Sequence, residues 1–352
     1  MPAPEFLRRL LTAAGPSGHE THPAKVWREA CSAFAADVYA DRVGSSVARV
    51  PGTADGPSLA IVGHIDEIGL HISHIEDEGY LRFGEVGGWD PVVLVGQRVT
   101  ITTGEGEVTG VIGRKPIHLF KDEDRKKVPE LRDLHIDIGA KDADDARSMV
   151  RIGDVAVIAA EPLDMPNGRL VSRALDNRIG CYVAAEAARR VAESDGASGD
   201  VLALAVAQEE TTFAGARTSA FALEPDLVIA VDVTFATDQP GVELGPITRH
   251  PLGSGPVIAR GTTLHPQIFE LLHETAKADK LDFTLESLGR GTGTDADAIH
   301  LSRTGVPTGL VSVPIRYMHS PVELVSLADI EAAADLIAAF AHRLEPGMTF
   351  ER

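Results

Sequence analysis

The sequence predicts an α/β fold, a mixed sheet flanked by helices and interrupted by a small inserted β-barrel. Three observations predict it. Short apolar runs at 59–63, 201–207, 227–231 and 309–313 are bounded by polar turns, which is the pattern of buried parallel strands. Alanine-rich amphipathic stretches at 179–191 and 326–344 supply helices to cover them. Between about 70 and 160 the texture changes to short alternating runs separated by glycine turns, which suggests a small barrel or sandwich.

Taken in order, residues 4–14 have helical spacing, and the Gly-Pro-Ser-Gly run at 15–18 stops them. A second helix is expected over 20–36, and strands near 37–50 and 59–64. Alternating runs at 98–103 and 107–112 lie inside the inserted unit, as does a charge run at 121–127 that reads as a solvated loop. The α/β pattern returns after Pro162: a helix over 179–191, a strand at 201–207, a helix near 215–223, and a strand at 227–232. A helix over 265–279 and strands at 281–285 and 309–313 follow. The helix over 326–344 closes the chain, with Ser326 as its expected N-cap and Asp329 three residues on. The simplest organisation is one α/β domain made of residues 1–70 and 165–352, with residues 71–164 forming the inserted β-barrel domain.

The 352 residues, 44% of them hydrophobic, can bury a sizeable core. A formal net charge of −19 argues against nucleic acid or an anionic membrane surface as a partner. Cys31 and Cys181 are the only cysteines, too few for a disulfide framework, and a reducing cytoplasm fits. No apolar window reaches membrane-spanning length, and the first residues lack the features of a secretory signal.

Open α/β sheets bind ligands beyond the carboxyl ends of their strands. Here those ends carry His64 and Asp66, Glu209 and Glu210, Asp232, and a loop with His319. His64 and Asp66 share a face on an extended segment, so the carboxylate can orient the imidazole. Glu209 and Glu210 would repel each other if enclosed, unless a dication sits nearby. Asp176 precedes a helix, and taken alone it reads by default as that helix's N-cap. Asp232 ends an apolar strand, where an unpaired carboxylate is costly. Each residue has a plain alternative: a structural histidine, a solvated acidic turn, a surface loop.

The set is more specific than its members. Two imidazoles and three carboxylates shared between two divalent ions leave about one positive charge, which one hydroxide neutralises. Nitrogen and oxygen ligands suit zinc, cobalt or manganese. The glycine-rich stretch at 289–296 follows neither phosphate-loop nor dinucleotide spacing; it reads as a tight turn or as backbone approaching substrate or ligands.

The ordered motifs resemble the M42 family of dinuclear metallo-aminopeptidases, which includes glutamyl and tetrahedral TET aminopeptidases, over nearly the whole chain. The motifs are Gly-His-Ile-Asp-Glu-Ile-Gly at 63–69, Gly-Gly-Trp-Asp-Pro at 87–91, Leu-Asp-Asn-Arg at 175–178, Gln-Glu-Glu at 208–210, Gly-Thr-Asp-Ala at 293–296 and His-Ser-Pro at 319–321. The resemblance implies a zinc-peptidase-like catalytic domain in which Asp176 bridges two metals. His64 and Asp232 would complete one site, Glu210 and His319 the other. Glu209 would be the general base and Asp66 the partner of His64, and a cis peptide is expected at Asp176–Asn177. The resemblance also implies short peptide substrates and a homo-oligomer, a tetrahedral dodecamer built from dimers being one form. The sequence departs from the family at 211–214, which bears on substrate preference. A related carboxypeptidase or deacylase and a non-catalytic metal-binding scaffold are the competing readings, with glycoside hydrolysis lower because no pair of carboxylates is left free of metal duty.

Overall fold

The computed structural model describes residues 2–123, 125–245 and 248–352. Its centre is an 11-stranded mixed sheet. Val201–Val206, Leu59–His64, Leu227–Phe235 and Thr308–Arg316 lie side by side and parallel within it. Their apolar runs are continuous because both faces are covered. All six residues of Leu59–His64 and all six of Val201–Val206 are buried, each large aliphatic side chain contributing about 1.5–3 kcal/mol. Ser46–Val50 joins one side antiparallel, and Glu323–Ser326 and Arg169–Ser172 extend the other.

The helix Leu175–Ala192 lies across one face, packed by Leu327–His342 and Glu5–Thr12. Leu7, Leu10 and Leu11 are fully buried in that first helix, as its i, i+3, i+4 spacing requires. Trp27 is also fully buried and donates its ring N–H to the carbonyl of Cys181 at 2.8 Å. Gly63 lets the sheet and the long helix touch. A Cβ there would stand 2.3 Å from the carbonyl carbon of Gly180 and 2.5 Å from the amide of Cys181.

Between Gly69 and Ile158 six strands close into an antiparallel barrel. Strand alternation fills it: Val99 and Ile101 point inward beside Leu70, Ile72, Leu81 and Ile136, while Thr100 and Thr102 lie outside that core. The chain then returns to the sheet through Leu163–Met165 and Arg169–Ser172.

The elements expected from sequence are present, with instructive shifts. The second helix spans Thr21–Cys31 and stops short of 36, because the amide of Ala36 is recruited to the sheet by the carbonyl of Arg49. The strand expected at 281–285 runs over Thr284–Leu288, since its partner Val257–Gly261 pairs only from Thr284 onward and the amide of Leu281 still closes the preceding helix on Ala276. Ser326 occupies the N-cap of the last helix without a capping hydrogen bond. Asp329 instead reaches outside the helix and accepts the amides of Gly253 and Gly255, at 2.7 and 2.8 Å.

Candidate metal centre

The predicted residues converge at the carboxyl ends of the parallel strands. His64 is the last residue of its strand, and Asp66 follows in the turn. The His64 Nδ1 lies 3.3 Å from both the backbone carbonyl and the Oδ1 of Asp66. A carbonyl oxygen can only accept, so Nδ1 carries a proton, and Nε2 is the nitrogen at which a metal could take the place of the second proton. That Nε2 points at Asp176 Oδ1, 3.2 Å away, and at Glu209 Oε2, 3.7 Å away. His319 repeats the arrangement from the opposite side. Its Nδ1 donates to the carbonyl of Gly88 at 2.9 Å, and its Nε2 lies 3.5 Å from Asp176 Oδ2 and 3.6 Å from Glu210 Oε1. Both rings are thus oriented by their outer nitrogen and turn their inner nitrogen onto the same carboxylate.

Asp66 does more than orient His64. Its two oxygens accept the amides of Glu209 and Glu210, each at 3.1 Å. The backbone bends there at Gln208, which has φ of 61°, so the adjacent glutamates turn toward the same cluster. Asp232, buried near the end of its strand, completes the group. Ligand atoms of His64, Asp176 and Glu210 lie within 4.8 Å of one another, as do those of His64, Glu209 and Asp232. Distance alone therefore does not set Glu209 apart from the other carboxylates.

Asp176 does not cap its helix. Ala174 holds that position in the left-handed region, and the Asp176–Asn177 peptide is cis. Asn177 ties the segment to the strand bearing Asp232, donating to the carbonyl of Val231 at 2.7 Å.

The electrostatics show what the donor set lacks. Burial raises the Glu209 pKa to about 10, with Asp232, Asp295 and Glu210 adding to it. Burial and Asp176 raise Glu210 to about 8 and Asp232 to about 7. Burial opposes the charge on His64, but Glu209, Asp176 and Asp66 push its pKa well above the usual value. Hydrogen bonding to Asp176 lifts His319 to about 9. Protons are being held where positive charge is wanted, and divalent cations would replace them. The donors are all nitrogen and oxygen. Cys181, beneath the site, donates its thiol to the carbonyl of Gly63 at 3.3 Å, and burial keeps it protonated. The residues present fit one or two borderline or hard dications.

Sequence reasoning missed three supporting residues. Glu323 is buried and bridges two donors, accepting the amide of Asp176 at 3.1 Å and that of His319 at 2.9 Å. It opens a four-residue strand, Glu-Leu-Val-Ser, too short for a hydrophobic pattern to mark the acid as buried. Glu67 has its carboxylate between Arg173 and Arg178. Asp295 is buried with Oδ1 unpartnered, and its charge acts on Glu209. The glycine-rich stretch makes a tight turn, the amides of Thr292 and Gly293 turning back onto Asp297, and Thr292, Gly293 and Thr294 line the cavity beside the cluster.

Fold and site together define a class: a mixed-sheet α/β protein with an inserted β-barrel and a candidate metal centre at the carboxyl ends of its parallel strands. Residues 44–336 match the M42 glutamyl aminopeptidase family, and the chain belongs to it. It is 34% identical to a lysyl aminopeptidase of Pyrococcus furiosus over 345 residues, covering 97% of each protein. Among solved structures, a TET aminopeptidase from the marine sediment archaeon Thaumarchaeota archaeon SCGC AB-539-E09 superposes with a TM-score of 0.91 at 35% identity, over 97% of this chain and 96% of the other. The TET1 peptidase of Pyrococcus horikoshii, which can assemble into a tetrahedron or a large octahedral shell, gives 0.85 at 32% identity, over 97% and 99%.

Proposed function

We propose that the protein is a metal-dependent aminopeptidase that removes N-terminal residues from short peptides. The observation that carries this reading is the pair of imidazoles whose inner nitrogens face a shared Asp176, with Glu209 and Glu210 alongside. Asp176 would bridge two ions, His64 and Asp232 completing one site, Glu210 and His319 the other. Zinc, cobalt or manganese there would supply carbonyl polarisation and a water of lowered pKa. Glu209 takes the role of general base, accepting a proton at its carboxylate and returning it to the leaving amine. Asp66 keeps His64 in the Nδ1–H tautomer and holds the Glu209 backbone in place.

The proposed division is a catalytic domain of residues 1–70 and 165–352 and an inserted domain of residues 71–164. The inserted barrel brings Gly88 against His319, and Trp89 lines the neighbouring cleft. Its proposed roles are therefore substrate access and assembly. Assembly as a homo-oligomer of dimers, with a tetrahedral dodecamer as the leading form, is supported by the likeness to the TET structures. The described residues contain no helix long and apolar enough to cross a membrane. Two buried free thiols, Cys31 and Cys181, fit a reducing cytoplasm.

The test is metal-stripped protein reloaded with one metal at a time and assayed on aminoacyl p-nitroanilides and N-acylated amino acids. The aminoacyl substrates should be cleaved and the acylated ones left intact. Glu209→Gln should retain bound metal but lose roughly 10²–10⁴-fold in turnover. Preferential deacylation, or a Glu209→Gln variant that keeps most of its rate, overturns the reading.

A further inference from the structure

A cavity of about 400 Å³ opens directly off the cluster, bounded by His64, Asp176, Glu209, Glu210, Asp232 and His319 at one end. Its far wall carries one further carboxylate, Glu286, from the strand Thr284–Leu288. Along that strand Thr284, Glu286 and Leu288 are half-buried, while Leu285 and Ser287 are exposed. Glu286 therefore points inward by strand alternation. The Thr234 hydroxyl donates to its carboxylate. Thr234 lies two residues beyond Asp232 on the same strand and the same face, about 6–7 Å along it. This places the Glu286 carboxylate one side-chain length from the metal-ligand cluster. The apolar side chains of Leu288, Leu310 and Met318 line the same cavity, with Thr292, Thr294 and Ser312 among its polar residues.

Among the described residues no lysine or arginine lines this cavity, and its two histidines face the carboxylate cluster. Among the described residues Glu286 has no ion-pair partner. Burial raises its pKa, the Thr234 hydroxyl opposing. A half-buried carboxylate in the wall of a cavity, without a cation, is chemically incomplete. We infer that the cavity takes the side chain of the substrate's first residue, and that Glu286 selects a basic one. An unbranched alkyl stem packs on Leu288, Leu310 and Met318, and its cationic head pairs with Glu286 and displaces water from it. An acidic first residue would put two carboxylates together in the same enclosed space and is disfavoured. Glu286 is a specificity residue; it takes no part in bond breaking.

The inference rests on the aminopeptidase reading for the direction of the substrate, so its test has two readouts. The first is the ratio of kcat/KM for lysyl and leucyl p-nitroanilides on the zinc-loaded enzyme. The wild type should favour lysyl and arginyl substrates over glutamyl, and Glu286→Gln should lower the lysyl-to-leucyl ratio at least tenfold. A ratio that moves less than twofold overturns the inference. The second is calorimetric binding of L-lysine against its uncharged analogue L-norleucine to the zinc-loaded protein. Lysine should bind at least tenfold more tightly than norleucine in the wild type and lose that advantage in the variant. Equal binding to the wild type overturns the inference even if the variant fails to fold. If no aminoacyl substrate is turned over by any metal-loaded form, the aminopeptidase reading fails, and the calorimetry still decides the role of Glu286.

Discussion

Replacing Glu67 by Gln tests how the site is held together. Its carboxylate is almost completely buried and accepts from three donors: the amide of Gly15 at 3.1 Å, Arg178 Nη2 at 2.8 Å, and Arg173 Nη1. Arg178 is fully buried and also donates to the carbonyls of Leu10, Ala13 and Ile65. One charge network therefore fixes the first helix, the turn between His64 and Asp66, and the start of the helix bearing Asp176. Burial lowers the Arg178 pKa, and Glu67 opposes that effect. In Glu67→Gln one oxygen can still receive Gly15 and Arg178, but an amide N–H group replaces the acceptor facing Arg173. Two buried guanidinium groups then lack a counter-charge. Breaking a buried pair by neutralising one partner costs about 3–5 kcal/mol. At about 2 °C per kcal/mol for a chain of this size, the melting temperature should fall by about 6–10 °C. Differential scanning calorimetry on metal-stripped protein reads this directly and keeps metal affinity out of the measurement. A fall under about 1–2 °C, what a solvent-exposed pair of about 0.5 kcal/mol would give, refutes the claim that this network is a buried structural element.

Other consequences are as specific. Glu323→Ala removes the acceptor shared by the amides of Asp176 and His319, and should weaken metal binding roughly 10–100-fold in a chelator competition; unchanged affinity would remove Glu323 from the site's support. Gly63→Ala drives a Cβ into the backbone of Gly180 and Cys181, and should destabilise the fold by at least about 1–3 kcal/mol, read by urea unfolding. Burial raises the Asp329 pKa to about 6 from its ordinary 3.8. The folded state thus holds that proton more tightly than the unfolded chain does, so the stability it contributes is complete below about pH 4 and is lost as pH rises through 6. The stability of wild type relative to Asp329→Asn, both metal-free, should therefore fall by about 2–3 kcal/mol between pH 4 and pH 7; a flat or rising difference contradicts the assignment.

What sequence and structure each contribute separates by the range of the interactions. The buried strands were legible because both of their faces are covered, which leaves continuous apolar runs at 59–63, 201–207 and 227–231. The barrel was legible because strand alternation writes a period of two into segments such as 98–103. Elements whose limits are set by a partner were displaced: the pairing of 257–261 moved the strand at 281–285 by three residues, and Gly253 and Gly255 drew Asp329 away from its capping position. Edge strands such as Leu163–Met165, too short for a period, left no signal.

The sequence by itself determined the donor types and the strand ends that carry them, because His64, Glu209, Glu210 and Asp232 each interrupt a local hydrophobic pattern. Tertiary structure alone decided which nitrogen of His319 faces inward, since that depends on the carbonyl of Gly88, 231 residues away in the chain. It also brought Glu323, Glu67 and Glu286 to their places. Hydrogen bonds and charge pairs between segments far apart in sequence leave no periodic trace in the chain, and they come into being only when the sheet assembles.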